Sequence, residues 1–134
     1  MISMKVSELM HGMFVRVLQK IAGTPNDPYA AYRIRNASRA IQEMQGKTRF
    51  QYKEEIQGKY AERDESGAVI LDETGTGFKA NDTKGFDEAS IAFGERKVDI
   101  DAKKIRFEDL AKIQLSPAEL EILSPILDEP KNQE

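Results

Sequence analysis

The stretch from Pro28 to Arg63 leaves this chain few folds to choose from. Asp27 before Pro28 is a strong helix start, a capping side chain followed by a residue lacking the N–H that a first turn cannot use. Ala30, Ile34, Ala37, Ile41, Met44 and Thr48 then recur at alternating steps of four and three. That is a heptad-like seam of period 3.5. After Thr48 the seam shifts toward Tyr52, Ile56 and Tyr60. Unbroken, a helix of about 36 residues spans roughly 54 Å. Gly46 and Gly58 each weaken it by about 1 kcal/mol relative to alanine, and Gly46 is where a bend is expected. A helix of this length needs cover along most of its surface. The second half of the chain, another copy or a different protein must supply what the preceding helix does not.

That preceding helix is expected over Ser7–Ala22. Met10, Met13, Phe14, Val17, Leu18 and Ile21 form an amphipathic stripe. Ser7 can cap its start, and Gly23 suits a left-handed turn after its end. His11, the single histidine, falls beside the stripe and reads as a partly buried structural residue. The two methionines read as adaptable core fillers.

Past Arg63 the pattern changes. Asp64-Glu65-Ser66-Gly67 is a turn, Ala68–Leu71 is β-like, and Asp72–Gly77 is a second turn before Phe78-Lys79-Ala80. These features predict a β-hairpin over 67–80. Gly75 and Gly77 belong to no phosphate-binding motif, because no Gly-Lys-Ser/Thr follows them. Asn81-Asp82-Thr83 predicts the cap of a third helix to about Lys97, with Phe86, Ala89, Ser90 and Phe93 inward. Val98 and Ile100 alternate with Asp99 and Asp101, and Ile105 and Phe107 with Lys104, Arg106 and Glu108, as half-buried extended segments do. Ser116-Pro117-Ala118-Glu119 is a capping box opening a last helix that Pro125 ends or kinks. The expected fold class is therefore mainly α with a small β component. Its parts are a long helix in an antiparallel helical hairpin, a β-hairpin and short C-terminal helices. Residues 1–127 are expected to form one domain with the hairpin inserted near 67–80, and 128–134 a flexible acidic tail.

Charge is unevenly distributed. Residues 28–63 hold eight Lys/Arg against four Asp/Glu, whereas residues 64–134 hold nine against seventeen. The two halves can attract one another, or the basic stretch can face an acidic or nucleic-acid partner. The candidate interaction surface is Arg33, Arg35, Arg39, Arg49, Tyr52, Lys53 and Tyr60, which combine cations for anion contacts with aromatics for stacking. With no cysteine there is no disulfide, thiolate ligand or cysteine nucleophile, which fits a reducing cytoplasm. No apolar run is long enough for a membrane span, and the N-terminus lacks a signal-peptide core. The acidic group Asp99, Asp101, Glu108 and Asp109 lacks the spacing of a calcium loop. No serine, lysine or aspartate sits in a nucleophile motif. The expectation is a non-enzymatic binding protein without catalytic, cofactor or metal residues.

The acidic, glycine-containing segment Glu65-Ser66-Gly67-Ala68-Val69-Ile70 precedes a helix and a closing segment. That closing segment carries Val98-Asp99-Ile100, Ile105, Leu110 and Leu115-Ser116-Pro117-Ala118-Glu119-Leu120. This order resembles an uncharacterised family of small tailed-bacteriophage proteins, over about residues 59–127. The resemblance implies a phage origin and a role in infection or assembly, in the host bacterial cytoplasm or the virion. Three functions follow as expectations. The first is a protein-interaction module, acting as an inhibitor of a host or defence protein or as an assembly factor. The others are a structural virion component of head, neck or tail, and a nucleic-acid-binding accessory protein. The expected partner is another protein or a second copy, with nucleic acid as the alternative.

Overall fold

Two-residue alternation at the very start of the chain, Ile2 and Met4 against Ser3 and Lys5, produces a strand that helical periodicity further on conceals. In the computed structural model, which describes residues 1–71 and 79–128, β1 (Ile2–Lys5) pairs antiparallel with β2 (Lys97–Ile100). Ile2 stands opposite Ile100 and Met4 opposite Val98. Directly opposed residues project from the same sheet face. Ile2, Met4 and Ile100 are accordingly all buried. The fold is mainly helical with this small sheet, and it divides into two units, Met1–Gln45 with Lys97–Glu134, and Gly46–Arg96.

In the first unit the expected helix over Ser7–Ala22 is two helices. α1 (Val6–Leu9) starts one residue before Ser7, and the Glu8 carboxylate accepts the Lys5 N–H at 2.8 Å. Met10 ends it, and His11 is extended at φ −63° and ψ 129°. α2 (Gly12–Gly23) then begins with His11 as its cap, Nδ1 accepting the Met13 N–H at 3.1 Å. The expectation of a partly buried histidine is thus corrected. His11 is exposed, and its ring nitrogen satisfies an orphan amide of the first turn. Gly23 is not left-handed either. It is the last residue of α2, and the Thr24 hydroxyl closes the helix by donating to the Lys20 carbonyl at 2.7 Å.

After the Thr24–Asp27 linker, α3 (Pro28–Tyr52) starts where Asp27 predicts, its Oδ1 accepting the Ala30 N–H at 3.0 Å. Ala30, Ile34, Ala37 and Ile41 are each at most 1% exposed, so the seam reads true. Phe14, Val17, Leu18 and Ile21 of α2 share their core with Ile34, Ala37 and Ile41. The chain's second half completes that core with Ile105, Leu110, Ile113, Leu123 and Ile126. Gln45, also buried, donates from Nε2 to the Leu9 carbonyl at 3.0 Å. That bond satisfies a carbonyl left over at the end of α1. The closing helix α6 (Pro117–Leu123) carries the capping box as expected. Ser116 Oγ accepts the Glu119 N–H at 3.2 Å, and Glu119 accepts the Ser116 N–H at 2.9 Å. The helix stops at Leu123, and Pro125 lies in a following 3-10 turn.

In the second unit Gly46 does not interrupt α3. The irregularity comes at Lys53–Gln57, a π turn in which the Gly58 N–H donates to the Lys53 carbonyl, five residues back. α4 (Gly58–Tyr60) follows, so the helical segment ends at Tyr60 rather than Arg63. A π turn absorbs one extra residue per turn. The altered seam after Thr48 therefore has a structural counterpart in backbone winding, not in a bend at glycine. Beyond it, Asp64 Oδ1 gathers the Ser66 and Ala68 amides at 2.9 and 3.0 Å, and Gly67 turns the chain at φ 85°, where glycine is the residue without a steric penalty. Residues 60–64 pair with 68–70 and 79–81 through single bridges and hydrogen bonds. One bond of the expected hairpin is present, from the Lys79 N–H to the Ile70 carbonyl. Its turn, with Gly75 and Gly77, lies outside the described residues, as does the tail 129–134. α5 (Thr83–Glu95) is capped by Asp82, which accepts the Gly85 N–H at 3.0 Å. It buries Phe93 and sets Tyr52 edge-on to that ring at 5.6 Å and Tyr60 edge-on to Phe86 at 6.3 Å.

Candidate functional site

The segment after β2 is built to display cations. The Ala102 N–H returns to the Ile100 carbonyl at 2.8 Å, which turns the chain out of the sheet. Ile105 then inserts fully into the core. Its N–H donates to the Ile126 carbonyl and its carbonyl accepts the Asp128 N–H, both at 2.8 Å. In extended chain, neighbours of an inward residue face outward. Lys104 and Arg106 flank Ile105 and are exposed, as is Lys103. The expected strand does not continue through Phe107, which is 42% exposed and opens a 3-10 turn over Phe107–Leu110.

Asp109 fixes that turn. Its side chain is 2% exposed, and the Arg33 Nε donates to its Oδ2 at 2.9 Å while Nη2 donates to Oδ1. The Arg106 N–H adds a third donor at 3.2 Å, and Asn26 Nδ2 donates to the Asp109 carbonyl at 2.8 Å. The hydrogen bond from Asp109 holds the Arg33 guanidinium above its ordinary pKa. The acidic group of residues 99–109 therefore separates. Asp109 is an internal anchor, and Asp99, Asp101 and Glu108 are exposed. Among the described residues no cluster of three or more His, Cys, Asp or Glu could hold a metal ion.

Between α3 and this segment lies an open cleft of about 910 Å³. One wall is Tyr32, Arg33, Asn36 and Ala37, and the other is Asp101 through Lys104 with Arg106, and Met1 and Asp128 also line it. Tyr32 is 66% exposed, and Tyr29, one turn earlier, is 77% exposed. Among the described residues Lys103, Lys104 and Arg106 have no ion-pair partner. The cleft thus offers an exposed ring, three cations without an ion pair among the described residues and a wall held by the ion pair of half-buried Arg33 with buried Asp109. It carries no nucleophile–base pair.

The residues singled out from the sequence are distributed differently. Arg33 lines the cleft but is committed to Asp109. Arg35 and Arg39 are exposed along a smaller groove of about 390 Å³ with Ala22, Ser38 and Gln42. Arg49 and Lys53 are exposed in the second unit, where Tyr52 and Tyr60 are half-buried against α5. Sequence reasoning missed Tyr32, Lys103, Lys104 and Arg106. Alternation around Ile105 marks two of these cations as outward, but nothing in sequence brings them to Tyr32. Neither family models, curated proteins nor solved structures gave a match to this chain. Among the described residues no helix is long and apolar enough to cross a membrane.

Proposed function

We propose that this chain is a non-enzymatic, phage-encoded protein-interaction module whose partner occupies the cleft between Tyr32 and Lys103–Arg106. The observation that carries the reading is the combination of an exposed aromatic ring with cations that have no ion pair among the described residues, on a wall anchored by Arg33 and Asp109. Exposed aromatics and arginines supply most of the binding energy at protein interfaces, and a preformed wall reduces the ordering cost of association. The buried seam of α3 argues against a partner on that face, because Ala30, Ile34, Ala37 and Ile41 already have cover. The resemblance of residues 59–127 to small phage proteins supplies the context, in which the module inhibits a host or defence protein or assists assembly.

The test is a photo-crosslinking residue at Tyr32 in host cells. The expected product is a discrete protein adduct that survives nuclease and is lost in the Lys104→Glu/Arg106→Glu variant. No adduct, or one indifferent to that variant, overturns the reading. An adduct only within purified particles transfers it to a structural virion component.

A second reading rests on the other unit. Lys47, Arg49 and Lys53 are exposed there, and Phe50 is 61% exposed. Cations beside an exposed ring suit single-stranded nucleic acid, and affinity would fall steeply with salt. A salt-independent or absent signal for an oligonucleotide eliminates it.

A further inference from the structure

We propose that the cleft takes an acidic protein segment in extended conformation, which pairs with the backbone of Lys104 and places carboxylates against the side chains of Lys104 and Arg106. The proposal rests on the protein-interaction reading and names the chemistry of the partner. Its first support is the backbone. Ile105 commits both its N–H and its carbonyl to Ile126 and Asp128. Among the described residues neither Lys103 nor Lys104 has a hydrogen-bond partner for its backbone or its side chain. Adjacent residues of extended chain turn their backbone groups to opposite edges, so the Lys104 amide and carbonyl point away from Ile126 and Asp128 and offer one rung to an added strand.

Charge gives the second support. Among the described residues Lys103, Lys104 and Arg106 stand without ion pairs on the wall, and carboxylates on alternate residues of an extended segment would meet Lys104 and Arg106. The same lining includes Asp101 and Asp128. Two carboxylates among the cations repel a phosphate backbone, which is charged at every unit, whereas a peptide can carry carboxylates only beside Lys104 and Arg106 and offer amides to Asp101 and Asp128. This favours a protein segment over nucleic acid. Tyr32 faces the same space with its ring 66% exposed, a surface for an apolar side chain between the acidic ones.

The probe is a fluorescein-labelled peptide of alternating glutamate and valine, titrated with the full chain and followed by fluorescence anisotropy. Saturable binding is expected, weakened by about tenfold or more in Lys104→Glu/Arg106→Glu and again in Tyr32→Ala. N-methylation of alternate peptide amides removes backbone donors without changing charge and is expected to weaken binding by a similar factor. Circular dichroism of each variant confirms that it is folded. Absence of peptide binding, equal binding of the N-methylated peptide, or tighter binding of a thymidine oligonucleotide of equal charge each overturns the proposal. A Tyr32 adduct that persists alongside such a failure leaves the interaction module standing and removes only the acidic extended partner.

Discussion

Arg33 holds Asp109 with two of its guanidinium nitrogens, joining the second turn of α3 to the 3-10 turn that follows the basic segment. Asp109 is 3% exposed and also accepts the Arg106 amide, so its carboxylate relies on donors from the protein. Removing this buried carboxylate leaves the half-buried Arg33 guanidinium and the Arg106 amide without their acceptor. Asp109→Ala is expected to cost about 2 kcal/mol in urea unfolding, through the loss of both acceptors. An apolar pair, Arg33→Met with Asp109→Leu, should recover much of that loss, since it leaves no unmatched charge. A denaturation midpoint for Asp109→Ala equal to that of the wild type would show that the pair contributes nothing net.

Gly85 and Asp82 are coupled through space as well as through the cap. A methyl group on Gly85 would lie 2.3 Å from Asp82 Oδ2, 2.9 Å from its Cγ and 3.1 Å from Tyr60 Cε1. The carboxylate would have to leave the position from which it accepts the Gly85 amide. Alanine ordinarily stabilises a helical position relative to glycine by up to about 1 kcal/mol, and losing an aspartate cap costs about the same. Gly85→Ala should therefore give no gain in the wild type but a gain in the Asp82→Ala background. A double-mutant cycle reads this directly, and additive effects would show that the cap tolerates the methyl group.

The local signals were legible wherever neighbouring side chains settle the outcome among themselves. Asp27-Pro28 and Ser116–Glu119 name their own hydrogen-bond partners within three residues, and both caps stand as read. The period-3.5 seam needs only one apolar face, and its burial follows. What escaped reading depends on long-range pairing. β1 is four residues long, and its alternation acquires meaning only once Ile2 meets Ile100. His11 looked like a stripe neighbour because the break at Met10 changes the helix phase. The cleft is the extreme case, since Tyr32 and Lys104 are far apart in sequence and are brought together by Arg33, Asp109 and Ile105. None of those three anchors has a motif.

Thr48 buries its hydroxyl on the α3 seam with 1% exposure, and Oγ1 has no hydrogen-bond partner among the described residues. A buried, unsatisfied hydroxyl costs about 1–3 kcal/mol relative to one that is paired. Thr48→Val keeps the shape and removes the polar atom. It should raise stability by about 1 kcal/mol, offset slightly by valine's stiffness in a helix. Thermal unfolding of the purified variant checks this, and a lowered midpoint would mean that the hydroxyl is satisfied in solution.

Acid should weaken the fold through three carboxylates. Asp27 is held below the ordinary carboxylate range chiefly by the Ala30 amide, Asp64 chiefly by the Ser66 hydroxyl, and Glu119 chiefly by the Ser116 amide. In each case the folded pKa lies below the unfolded one, so the unfolded chain takes up the proton first as pH falls. Their contribution is fully present above the unfolded values and is lost as pH drops through the folded ones. The urea midpoint should stay level from neutral pH to roughly pH 5 and decline below it. Asparagine at position 27 caps a helix as well as aspartate but does not titrate. Asp27→Asn should therefore hold the neutral-pH midpoint close to that of the wild type and shallow the acid decline. A decline parallel to the wild type would show that the Ala30 amide does not distinguish the charged cap from a neutral one.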